Sequence, residues 1–495
     1  MGIVANQSIK NLVTTYLGFA IGALNTLFLY VHFMSETYYG LVGFIVSTGM
    51  IVMPFMAFGT PNTIVKFYSG YQEKEKKTFL SWVLFLPFLV AIPLAIVCYF
   101  FYTEIASFLS SKNAIVSDYI WHIYIIALSA AYFELFYAWS KVHLKTVFGN
   151  FMKEVFHRLA IMILLILLAF KSIEVTFFIH CLVAVYVLRM VIMKGYAYYL
   201  KMPEISFVDT LTFKTRKHLN NTSDVLKYTT LIIVAGSVST ILLDVDKVML
   251  GLFKEIDNVA YYGVAIYIAT VISVPLRAMH QITYPMVAAM LNENRKEEMG
   301  ALYKKSSISL LVVSGLLFLL ISCNIQSLYE ILNPNYAVGL YVVLLISVAK
   351  LFDNILGVTN AIVFNSDYYR LVLFIGVFIV VFAIALNAIL IPLYGIYGAA
   401  IATCIASISY GVIKLIVVKR KFGLQPFTFK TGTALLVIVL LFLSFYFWKF
   451  NVYPALAIVL KSAILSLVYI AVVYVLNVSE DITAVIKRFL KRNPA

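Results

Sequence analysis

Three basic residues stand inside apolar runs long enough to cross a bilayer: Lys247, Arg277 and Lys350. A charge near the bilayer centre is costly, so it usually faces protein or a wet cavity and marks a pathway. Cations lining a cavity attract an anion, and a guanidinium makes paired bonds to phosphate. Two of the three also have a plain structural reading. Lys247 lies in LLDVDKVMLG, three residues after Asp244 and next to Asp246. Asp244 and Lys247 share a helix face and can simply pair. Lys350 and Asp353 have the same spacing. Arg277 has no acidic residue within four positions, which favours a functional role for it.

Four acidic positions are candidates for ion coupling or gating: Asp353, Asp244, Asp246 and Glu134. Glu134 suits a proton or sodium site and equally an interhelical hydrogen bond. His180 and His280 are single polar positions, for which core hydrogen bonding is the expectation. The chain has no Walker A, HExxH or GxSxG sequence, so no ATPase or hydrolase chemistry is expected. Cys98, Cys181, Cys323 and Cys404 all fall inside apolar runs, and none forms a CxxC pair. They read as small buried hydrophobes, with no disulfide framework, metal site or cofactor.

The elements that must hold these residues follow from composition. Of 495 residues 62% are apolar and 12% charged, against roughly 45–50% and 25% in a soluble domain. That excludes a soluble enzyme, a disordered chain and a secreted disulfide scaffold. The apolar runs read as fourteen spans, at 11–33, 39–60, 79–101, 115–139, 155–170, 173–193, 228–252, 258–290, 306–330, 337–364, 371–391, 395–418, 431–448 and 455–477. The first run is too long for a signal peptide's apolar region and is expected to remain in the mature protein.

The net charge of +15 sorts by side. With both termini cytoplasmic, 30 of the 38 basic residues fall on the cytoplasmic side, Arg189 and Lys414 counted among them. Five fall on the other side, including Lys461, and three remain inside spans. This is the asymmetry that orients membrane proteins, and it accounts for the excess without nucleic acid.

Two segments align without gaps at an offset of 223, one from Tyr38 and one from Tyr261. Each opens with Tyr-Tyr-Gly, carries two prolines (Pro54 and Pro61; Pro275 and Pro285) and ends in a charged loop. Spans 2 and 8 then correspond in the same direction, as in a parallel repeat. The expected product is an all-α polytopic membrane protein of about 14 helices. It has a six-helix lobe at 1–200, a cytoplasmic linker at 201–227 and a second six-helix lobe at 228–420. Two extra helices with a basic tail follow at 421–495, and a central cavity is expected between the lobes.

The segment DKVMLGLFKEIDNVAYYGVAIYI resembles the span 7–8 signature of polysaccharide-unit flippases, and ALNAILIPLYGIYGAAIATCIA is similar to their spans 11–12. That family belongs to the multidrug/oligosaccharidyl-lipid/polysaccharide exporter superfamily. The resemblance implies a transporter of the inner membrane that moves undecaprenyl-pyrophosphate-linked oligosaccharide, such as an O-antigen or lipopolysaccharide repeat unit, from the cytoplasmic to the periplasmic leaflet. Partners would be the lipid-linked oligosaccharide, membrane lipids and a coupling H+ or Na+. Lys247 sits where the family signature often has Lys or Arg; Arg277 and Lys350 rest on the membrane-charge argument. Alternatives are a multidrug antiporter or lipid II flippase of the same superfamily, or an integral-membrane polysaccharide polymerase or ligase. The drug antiporter would want acidic cavity residues, and the polymerase a large external loop.

Overall fold

A computed structural model describes residues 3–203 and 222–491. The linker cations Lys214, Arg216 and Lys217 lie outside the described residues. Among the described residues the regular structure is entirely helical. Packing divides the chain into two compact units, 1–260 and 261–495.

In the first unit α1 covers 3–33 and passes through a π-helical turn at Leu24–Leu29. α2 is Glu36–Ala57, α3 is Glu73–Phe100 and α4 is Ile120–Val142. α5 runs over 147–169, with a second π turn at Met152–Phe156. α6 is Val175–Leu200 and α7 is Thr222–Phe253. α8 starts at the boundary between the units and covers 257–292, through a tight 3-10 turn at Val271–Ser273. α9 is Lys296–Leu332, α10 is Leu340–Ile355, α11 is Tyr369–Tyr394 and α12 is Ile396–Phe422. α13 is Phe429–Tyr446, α14 is Pro454–Val475 and the short α15 is Glu480–Lys491.

Twelve helices among the described residues are long and apolar enough to cross a membrane. They account for twelve of the fourteen expected spans. The other two expected spans, 155–170 and 228–252, correspond to α5 and α7, which are helical but carry at least three charged residues each. The chain is therefore a multi-pass, all-helical membrane protein.

The packing boundary lies one helix later than the expected lobe boundary at 227/228. α7 lies against α2 in the first unit. Polar ties hold it there, among them Thr63 Oγ1 with Thr229 Oγ1 at 2.9 Å. Ser47 Oγ donates to Asp244 at 2.8 Å, and Asn113 Nδ2 donates to the carbonyls of Gly251 and Lys254 at 2.7 and 2.9 Å. In lipid, where association gains little from the hydrophobic effect, such bonds and close packing set helix partners.

The repeat is visible in the packing. α4 lies between α2 and α6 in the first unit, and α10 packs against the α8 turn and α12 in the second. The breaks, however, fall at different places. The first half breaks after Pro54, where Phe58 and Gly59 take positive φ of 48° and 66°. A side chain on Gly59 would also strike Ile232 and the Thr229 carbonyl of α7, so glycine is demanded twice over. The second half breaks before its first proline, at Val271–Ser273, and Pro285 stays inside the helix. The four cysteines are free.

Candidate functional site

The first unit gathers charge around Glu134 of α4. Lys153 of α5 pairs with it, Nζ to Oε1 at 2.6 Å. Lys153 sits within the π turn at Met152–Phe156, and such extra-residue turns recur at functional sites. Lys141 and Arg189 are also within electrostatic reach of the Glu134 carboxylate. The Lys141 ammonium stands 4.0 Å from the Tyr137 ring centre. Arg189 of α6 is 6% exposed. Its guanidinium lies 4.3 Å from the Phe133 ring and 4.9 Å from Tyr186, geometry that stabilises a desolvated cation. Glu134, Lys141 and Lys153 border a cavity of about 200 Å³ that Pro54, Asn62 and Thr240 also line.

On α7 the expected pairing of Asp244 with Lys247 is present at 3.4 Å, and Asp244 also accepts from Ser47. Asp246 is buried. The chemistry of this unit is thus a set of partnered charges, with cations in excess.

The second unit is arranged differently. Lys350 and Asp353 share the same spacing on α10, yet they form no direct ion pair among the described residues. Asp353 feels two cations, Lys350 and Lys414. Lys414 of α12 is 5% exposed. It donates to Asn360 Oδ1 at 2.9 Å, and its ammonium stands 4.1 Å from the Tyr410 ring. His280 of α8 is within electrostatic reach of the same lysine. Arg277, also on α8, is exposed and meets no acidic partner among the described residues. Among the described residues, two of the three expected cations, Arg277 and Lys350, have no ion pair, and Lys247 has one.

The charge count by side needs correction at three positions. Arg189 and Lys414 are buried inside α6 and α12 rather than placed in cytoplasmic loops. Lys461 is buried inside α14, where it donates to the Cys323 carbonyl of α9 at 2.7 Å. A signal for the first two was present. Arg189 lies inside the 173–193 run and Lys414 inside the 395–418 run, and each follows a tyrosine by three or four positions, Tyr186 and Tyr410. Their separation, 414 − 189 = 225, is close to the repeat offset; that of Glu134 and Asp353 is 353 − 134 = 219. The two acids and the two buried cations thus occupy near-equivalent places in the two halves.

His122 and His180 hydrogen-bond each other at 2.8 Å, joining α4 to α6. No group of three or more His, Cys, Asp or Glu among the described residues is placed to hold a metal ion.

Comparison with known proteins supplies the wider frame. A lipid II flippase, MurJ in its inward closed conformation, superposes with a TM-score of 0.72 at 15% identity, over 94% of this chain and 99% of that one. An inward-facing multidrug resistance transporter of the MATE family, within the MOP superfamily, gives 0.55 at 13% identity, over 86% and 95%. A MOP superfamily transporter from Pyrococcus furiosus gives 0.55 at 12%, over 85% and 95%. At these identities the likeness establishes the fold. In sequence, the chain is 26% identical over 168 residues to a protein described as "Probable flippase AglR" from Haloferax volcanii. That match spans 32% of this chain and about a third, 34%, of the relative. Residues 6–291, more than half of the chain, match the family model described as polysaccharide biosynthesis protein, and the chain belongs to that family.

Proposed function

We propose that this protein is a flippase for lipid-linked oligosaccharide. It carries undecaprenyl-pyrophosphate-linked repeat units from the cytoplasmic to the periplasmic leaflet of the inner membrane by alternating access, with both termini cytoplasmic. The observation that carries the reading is Arg277, a guanidinium on a spanning helix, exposed and without an acidic partner among the described residues. An unpaired cation at membrane depth marks a pathway, and guanidinium suits a diphosphate. Lys350 belongs to the same anion-binding set. Lys247, held by Asp244, orients that carboxylate and contributes to the local field. Family membership and the match to exporter folds support the same reading.

Asp353 is the preferred coupling residue for H+ or Na+. Its carboxylate has no direct ion pair among the described residues, so it can take up a cation without first breaking a bond. Glu134 and Asp244 already hold lysines and rank below it. A second reading, lipid II as substrate, is favoured by the TM-score of 0.72 to MurJ.

The test is flipping in proteoliposomes with a diphosphate-linked oligosaccharide lipid. Arg277→Ala and Lys350→Ala should each slow it at least about tenfold, a loss of roughly 1.4 kcal/mol. Full activity in both variants rejects the anion-binding assignment. Movement of lipid II alone by the unmodified protein selects the second reading.

A further inference from the structure

A second cavity in the first unit, about 480 Å³, lies between α3, α4 and α6. That size is within the range of small-molecule sites, about 300–1,000 Å³. Its wall is apolar and aromatic, with Phe85, Phe88, Ile125 and Tyr132 prominent, and Phe88 and Ile125 are themselves exposed. No carboxylate lines it; its one charged residue is Lys194.

The cleft exists because α3 is a poor neighbour for α4 along this stretch. Pro87 and Pro93 sit inside α3, and each removes a backbone donor and crowds the preceding turn. Two tyrosines of α4 clamp the disturbed helix, Tyr132 Oη to the Leu84 carbonyl at 3.2 Å and Tyr124 Oη to that of Ala91 at 2.8 Å. The gap between the helices is thereby held open.

One end of the cleft is basic. Lys194 lies near the end of α6, its ammonium 5.6 Å from the Tyr198 ring, which also lines the cavity. The start of α3, at the same end, carries Lys76 and Lys77 alongside Glu73 and Glu75. We propose that this cleft is a resident site for an anionic phospholipid of the bilayer, one acyl chain lying among Phe85, Phe88 and Tyr132 and the phosphate headgroup meeting Lys194. The tail gains little by leaving the bilayer, since lipid and protein interior are equally apolar. The headgroup therefore sets selectivity, as in other basic pockets between membrane helices. Lys194 and the cleft lie apart from Glu134 and the cations assigned to transport.

The test uses the full-length protein, delipidated in detergent and titrated with phosphatidylglycerol or phosphatidylcholine, with bound lipid counted by native mass spectrometry. The unmodified protein should retain phosphatidylglycerol in preference to phosphatidylcholine. Lys194→Gln, an exposed substitution that leaves the fold intact, should weaken phosphatidylglycerol about fivefold and leave phosphatidylcholine unchanged. Val187→Trp, which fills the cleft, should remove both. Equal retention of the two lipids by the unmodified protein overturns the proposal. So does Lys194→Gln with undiminished preference, or a polyprenyl phosphate that displaces phosphatidylglycerol at equal concentration.

Discussion

The two units place an acid and a buried cation at near-equivalent positions and use them in opposite ways. In the first, Glu134 is bonded to Lys153 at 2.6 Å, and Arg189 is packed between two rings. In the second, Asp353 has no direct ion pair among the described residues, and Lys414 gives its hydrogen bond to a neutral amide, Asn360. A duplicated scaffold thus carries a closed charge set in one half and an open one in the other. Closed pairs in a low-dielectric interior hold helices together; an open carboxylate is available to a mobile cation.

The sharpest way to break this contrast is to neutralise each acid in turn. Asp353→Asn should reduce the dependence of transport on an H+ or Na+ gradient at least about tenfold, while Glu134→Gln leaves that dependence in place. Equal loss in both variants, measured by flipping with and without the imposed gradient, would erase the distinction. An effect on stability rather than on coupling should separate the cations. Arg189→Met removes two ring contacts and one of the charges around Glu134, and should cost about 3 kcal/mol of stability. Lys414→Met keeps most of the packed stem and loses a hydrogen bond to a neutral amide and one ring contact, but it also removes a buried charge, so its net cost should be about 1 kcal/mol. Thermal unfolding of the purified variants checks the order. The smallest effect belongs to the surface: Lys430→Ala breaks the exposed pair with Glu480 and should shift stability by no more than about 0.5 kcal/mol.

How far the sequence carried these assignments depended on whether a signal was local. The spans were legible because lipid demands long apolar helices; 155–170 was weak because it is short, and 115–139 because Asp118, His122 and Glu134 dilute it. The Asp244–Lys247 pair was legible because three residues bring two side chains to one face. The same spacing overstated Lys350 and Asp353, since it permits contact without compelling it. Glu134–Lys153 crosses between helices, and no spacing rule reaches it. Arg189 and Lys414 were counted with the loops because both lie late in their apolar runs, whereas both are buried among side chains. Only packing showed that their neighbours were aromatic rings instead of water.

Lys461 bears on how the chain is assembled. Its ammonium is buried and bonded to the carbonyl of Cys323, 138 residues earlier. A lysine in a lone helix raises the free energy of insertion by up to about 2.5–3.5 kcal/mol at the bilayer centre. During synthesis α9 leaves the ribosome first, so the acceptor for that ammonium is already in the membrane when α14 emerges. The last hairpin, α13 with α14, is then completed by docking on α9. A truncated or reordered chain lacking α9 would present the translocon with a final helix that has lost its reason to stay.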